Sequence, residues 1–142
     1  MPLENFGSIL NFAEQIESED RAFYEILANN PACAEQKSVY EGFATDAQKN
    51  IKNIQRTRRE NVTEMILEPV KDFVRAPFCE DCQGADSLGA AEALETAKRL
   101  ENRAFRYYTE AAEKIKAQPE VARALKTVGK KRKAHIDKLA DL

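Results

Sequence analysis

The sequence predicts an all-α protein, a four-helix bundle made of two antiparallel helical hairpins joined by a long crossover. Three observations carry this expectation. Four stretches repeat apolar residues at alternating steps of three and four, the period of a helix with one buried face. No stretch shows the period-two alternation and β-branched enrichment of a strand. The breaks are also unequal: short turns at "NNP" (29–31) and around "QPE" (118–120), but a long connection, "EPVKDFVRAPFCEDCQGAD" (68–86), in the middle. Short turns favour antiparallel neighbours, whereas the middle segment is too long for a tight turn.

The first helix is expected from about Gly7 to Ala28, where Asn29-Asn30-Pro31 stops it. The second begins near Ala34 and continues to Leu67, ahead of Glu68-Pro69. The third follows "GADSLG", with Asp86 or Ser87 as N-cap, and runs to Ala117. The fourth has Pro119 in its first turn, where the missing N–H costs nothing, and ends with the chain.

The totals fit one domain over 1–142, with enough apolar residues for a real core: 43% hydrophobic and 32% charged, with no Trp. A net charge of −2 gives no overall pull toward nucleic acid or a membrane surface, so neither is an expected partner. The N-terminal "MPLENFGSILNFAEQ" has no basic region followed by a long apolar run, and no apolar run approaches membrane-spanning length. A cytoplasmic protein is expected. Three cysteines, Cys33, Cys79 and Cys82, are an odd count that argues for reduced thiols rather than a disulfide framework.

The inner seams carry the functional information. The fourth helix places Val121, Leu125, Val128, Arg132, His135, Leu139 and Leu142 inward, apolar except at Arg132 and His135. Lys130, Lys131 and Lys133 then point mostly to solvent, so "KKRK" (130–133) reads as a solvated face, not a nucleic-acid tract. The third helix gives Leu94, Ala97, Glu101, Ala104, Tyr108, Ala111 and Ile115; the first gives Ala13, Glu17, Asp20, Tyr24 and Leu27. The second gives Tyr40, Phe43, Ala47, Asn50 and Ile54. Glu17, Asp20, Asn50, Glu101, Arg132 and His135 are expected to meet in one polar layer. Buried carboxylates must be paired, protonated or metal-bound, because an isolated one costs several kcal/mol. Tyr24 or Tyr108 is placed to hydrogen-bond such a carboxylate.

An internal repeat supports this layer. "QIESEDRAFYEILA" (15–28) aligns with "RLENRAFRYYTEAA" (99–112), pairing Glu17 with Glu101 and Tyr24 with Tyr108 at the same separation of 84 residues. The second helices align less well, with Ala47 against Arg132 and Asn50 against His135.

At these residues the chain resembles the rubrerythrin-like branch of the ferritin-like superfamily, over nearly its whole length in helix order, crossover and seam residues. In that family the first and third helices each supply a metal-binding Glu, followed seven residues later by Tyr. The second and fourth each supply Glu-x-x-His, whose i, i+3 spacing lets both side chains converge on one ion. Together they bind two irons that react with oxygen or peroxide. The resemblance implies Glu17 and Glu101 as the first- and third-helix ligands, and His135 as the imidazole of the second Glu-x-x-His. The Glu of that motif is Arg132 here, and the first motif reads Ala47-Gln48-Lys49-Asn50.

The expectation is a degenerate di-iron site, with Arg132 in the vacated centre paired to Glu17 or Glu101. Such a protein would be a non-catalytic or regulatory bundle. The alternative is an iron-binding oxidoreductase keeping a reduced site on Glu17, Glu101 and His135, with Asp20 as a further candidate ligand. The cofactor is accordingly none or iron. Cys79 and Cys82 form a second candidate metal site in the crossover; zinc or iron there needs four ligands, which two chains could pool. "RTRRE" (56–60) and "VTEMILEPVKDFV" (62–74) mix charge with apolar residues outside the core and are read as an association surface, pointing to a homodimer.

Overall fold

The computed structural model describes residues 3, 6–60, 73–80 and 84–142. Four α-helices dominate it: α1 Phe6–Ala28, α2 Lys37–Glu60, α3 Ala90–Lys114 and α4 Pro119–Ala140. No strand occurs among the described residues. α1 packs chiefly on α2, and α3 chiefly on α4, so the bundle consists of two helical hairpins.

Local sequence explains the breaks. After α1 the chain enters a 3-10 turn, Pro31–Gln36, with proline at its start and Asn30 as N-cap. The Asn30 side chain accepts from the Ala32 N–H at 3.0 Å and donates to the carbonyls of Ala85 (3.0 Å) and Leu88 (2.8 Å). One asparagine thus closes the first hairpin and ties it to the entry of α3. Pro119 opens α4, as its fixed φ allows. Gly129 is needed for close approach: a Cβ there would lie 3.2 Å from Tyr108 Cβ.

Some boundaries differ from expectation. α2 starts at Lys37 rather than Ala34, because the 3-10 turn takes Pro31–Gln36 first. Its expected end at Leu67 lies outside the described residues, as does most of 62–74. Asp86 and Ser87 do not cap α3; they sit in a separate 3-10 turn, Ala85–Ser87, and extended Gly89 precedes the helix. α3 ends at Lys114 instead of Ala117, where the Ile115 backbone leaves helical geometry and Gln118 N donates back to Ile115 O at 2.9 Å. On the seams, Leu142 is exposed, since it lies past the end of α4, and Leu94 is only half-buried, with Ala93 filling that level.

The core falls into two apolar blocks. One gathers Leu10, Phe12, Ile16, Tyr107, Ile115, Val121 and Leu125. The other gathers Phe23, Leu27, Tyr40, Phe43, Ala97, Leu100 and Leu139. Between them lies a layer of buried polar side chains from all four helices: Glu17, Asp20, Asn50, Glu101, Arg103, Arg132 and His135. The described crossover residues 73–80 run against α3. Phe73 and Phe78 pack on the Tyr107 ring, and Arg99 and Arg103 of α3 grip Glu80 (3.0 Å) and the Phe78 carbonyl (3.1 Å).

Candidate functional site

The polar layer is built around one guanidinium. Arg132, 1% exposed, donates from Nε to Glu17 Oε2 at 3.0 Å and from Nη2 to Glu17 Oε2 and Asp20 Oδ2, each at 2.8 Å. Its Nη1 is hydrogen-bonded to Glu101 Oε2. Glu17, Asp20 and Glu101 are all fully buried. The sequence paired Arg132 with Glu17 or Glu101; the structure pairs it with both and adds Asp20. Helical steps of three place Glu17 and Asp20 on one face of α1, so a single cation from α4 reaches both.

The repeat becomes a reciprocal strap. Tyr24 OH donates to Glu101 Oε2 and Tyr108 OH donates to Glu17 Oε2, both at 2.6 Å. Each tyrosine therefore bonds the glutamate of the other hairpin. Burial, together with the facing carboxylates, holds both phenols well above their ordinary pKa, so they remain donors.

The second helices break this symmetry. His135 lies between two carboxylates, with Nδ1 2.8 Å from Glu101 Oε1 and Nε2 2.8 Å from Asp46 Oδ2, and stacks on Phe43 at 3.8 Å between ring centroids. Ionised carboxylates only accept, so both contacts require an imidazolium. Burial opposes that charge, but the hydrogen bonds to Glu101 and Asp46 outweigh it and raise the His135 pKa. At the related position on α2, Asn50 donates from Nδ2 to Glu17 Oε1 at 3.0 Å, while its Oδ1 has no partner among the described residues.

Arg103 and Asp46 complete the layer, and the seam count missed both. Arg103, also buried, donates from Nη2 to Asp20 Oδ1 at 2.6 Å. It lies beside the Glu101–Tyr108 stripe, in the adjoining row Leu100–Arg103–Tyr107 that α3 also buries. That second apolar row, at steps of three and four, was the available signal. Asp46 flanks the α2 seam with its side chain 41% exposed, so nothing in the apolar pattern marks it.

Within the layer the carboxylates of Glu17, Asp20, Glu101 and Asp46 face the Arg103 and Arg132 guanidiniums and the His135 imidazole. Burial works to raise the Glu101 pKa, yet Arg132, His135 and Tyr24 together hold it below the usual carboxylate range. Burial pushes Asp20 up to about 7 against the pull of Arg132 and Arg103. As pH falls, Asp20 therefore takes up a proton before Glu101 does. The carboxylate oxygens that face the centre are already engaged by Arg132 and by a tyrosine or Arg103. Among the described residues, no group of three or more His, Cys, Asp and Glu side chains has an arrangement that could hold a metal ion.

The second candidate site is only partly described. Cys79 is exposed, with its thiol 3.4 Å from the Arg75 carbonyl, and Cys33 is buried in the first hairpin turn. Cys82 lies outside the described residues. No described helix is long and apolar enough to cross a membrane. No protein-family model matches the chain, and no curated protein or solved structure matches it significantly.

Proposed function

We propose that the chain is a rubrerythrin-like bundle of the ferritin-like superfamily in which a buried ion cluster stands in place of the di-iron centre. On this reading it works as a non-catalytic or regulatory bundle rather than as a metal-dependent oxidoreductase. The observation that carries the reading is the Arg132 guanidinium bonded to Glu17, Asp20 and Glu101 at once. A pair of irons does not fit these residues. Their place between the two glutamates is filled by a cation, and Ala47 and Asn50 offer a methyl group and a neutral amide where the resemblance requires a carboxylate and an imidazole. The same reading makes the protein a cytoplasmic homodimer with thiols kept reduced, and leaves Cys79 and Cys82 as a pair that two chains could pool around zinc.

Metal analysis per chain tests the reading, on protein produced with added iron and purified without a metal-affinity tag. Iron close to zero supports it. Near two irons per chain would overturn it, and about one would favour the oxidoreductase alternative on Glu17, Glu101 and His135. Zinc at half an atom per chain, lost when Cys79→Ser is introduced, would support the shared cysteine site. Light scattering on the same samples reads the dimer.

A further inference from the structure

We propose that Glu17, Asp20 and Glu101, with the hydroxyls of Tyr24 and Tyr108, form a cavity selective for a guanidinium-type cation, whose occupant in this protein is tethered as the Arg132 side chain. A free guanidinium ion is then a ligand of the cavity once the tether is cut. The inference rests on geometry alone and holds whatever the ancestry of the bundle.

Shape comes first. A guanidinium is a flat fork whose N–H groups leave in fixed directions, whereas an ammonium is a compact point charge. Here the carboxylates approach the fork from different sides: Glu17 at Nε and Nη2, Asp20 at Nη2, Glu101 at Nη1. Three acceptors spread around one plane match that fork and do not converge on a single point.

The phenols fix two of the acceptors in place. Tyr24 and Tyr108 each donate to the same carboxylate oxygen that receives Arg132, so each Oε2 has one direction taken by a neutral donor and another facing the cavity. An oxygen held in this way keeps a lone pair for an N–H from the cavity. Asn50 adds an independent mark. It is fully buried, its amide N–H₂ is committed to Glu17, and its Oδ1 meets no donor among the described residues. That open acceptor suits a further N–H, such as a small free cation could bring.

The experiment uses Arg132→Gly and guanidinium chloride in the low-millimolar range, far below denaturing concentrations. Melting temperature and near-ultraviolet circular dichroism are followed against concentration. A saturable rise in melting temperature, absent in the wild-type chain and absent with sodium chloride or tetramethylammonium chloride at equal ionic strength, supports the cavity. In an Arg132→Gly, Glu17→Gln background the same titration should shift to about tenfold higher concentration or more, the effect of losing a charged hydrogen-bond acceptor. No saturable response, or stabilisation by manganese or zinc at lower concentration than by guanidinium, overturns the proposal. Should Arg132→Gly not fold alone, its refolding yield from urea gives the same decision: a yield rising with guanidinium supports the cavity, and an unchanged yield overturns it. Metal content of the wild-type chain, which tests the function proposed above, does not enter this result.

Discussion

Arg132→Ala is the most informative single perturbation. Removing the guanidinium leaves Asp20 with Arg103 at 2.6 Å, and leaves Glu101 with His135 at 2.8 Å and Tyr24 at 2.6 Å. Glu17 fares worst. It keeps only Tyr108 OH and the Asn50 amide, both neutral, so it becomes the buried charge without a counter-charge. Breaking one partner of a buried pair costs about 3–5 kcal/mol. Set against a total of about 5–15 kcal/mol for a domain, that is about a fifth of the stability or more.

The variant can relieve this strain by protonating a carboxylate, so its deficit should shrink at about pH 5 relative to about pH 8. Urea unfolding followed by far-ultraviolet circular dichroism measures both values, with the Arg132→Ala, Glu17→Gln double variant completing a cycle. Most of the loss should be recovered in the double variant, because it removes the stranded charge. A loss below about 1 kcal/mol at the higher pH, or an unchanged loss in the Glu17→Gln background, would refute the claim that Arg132 serves chiefly to compensate Glu17.

Three further outcomes are expected. Between 3.8, the ordinary Asp20 value, and about 7, its value in the fold, the native chain holds a proton that the unfolded chain releases. Stability therefore falls as pH rises through that window, and raised His135 adds the same sign as pH passes its own folded value, while lowered Glu101 matters only on the acid side. Urea midpoints against pH should show this slope in the wild-type chain and a flatter one in Asp20→Asn; equal slopes would remove Asp20 as its source. Tyr24→Phe and Tyr108→Phe each delete one buried bond to a carboxylate and should each cost about 1.5–3 kcal/mol by urea unfolding. A large inequality between them would contradict the reciprocal strap. Arg103→Met should speed amide hydrogen exchange at Phe78 and Cys79, whose N–H groups bond Arg75 O at 2.8 Å and Ala76 O at 3.3 Å, because Arg103 holds the Phe78 carbonyl. Unchanged exchange would mean that the aromatic contacts alone hold this segment.

The helices and the polar layer were legible because both obey one rule, that a residue on an apolar stripe is buried whatever its type. Glu17, Asp20, Asn50, Glu101, Arg132 and His135 interrupt otherwise apolar rows, and the structure brings all six together. Arg103 was missed because α3 buries two adjoining rows, and a single-seam count registers only one of them. Asp46 was missed for the opposite reason: it is half in solvent, and only the position of His135 on another helix gives it a role. The N-cap of α3 was misassigned because Asp86 and Ser87 have side chains suited to a cap but are used in a tight turn two residues earlier. Turn chemistry names the residue type well and the position poorly.

The distribution of these bonds explains why a buried ionic layer is kept at all. Within each hairpin the helices meet mainly through apolar packing, which is strong but does not specify one alignment. Across the two hairpins the contacts are sparser, and there the charged bonds concentrate: Tyr24 to Glu101, Tyr108 to Glu17, Arg132 to Glu17 and Asp20, Arg103 to Asp20, and His135 to Asp46. Two similar hairpins with apolar seams could slide by a turn and bury nearly as much surface. A slide of one turn here would separate both tyrosines from their glutamates and strand Arg132 among apolar residues, at several kcal/mol for the guanidinium alone. The layer therefore adds little to the total stability of the bundle, because the charges cost nearly as much to bury as they return. It acts on the gap between the correct pairing of the hairpins and the next best one, which is where two related halves most need a distinction.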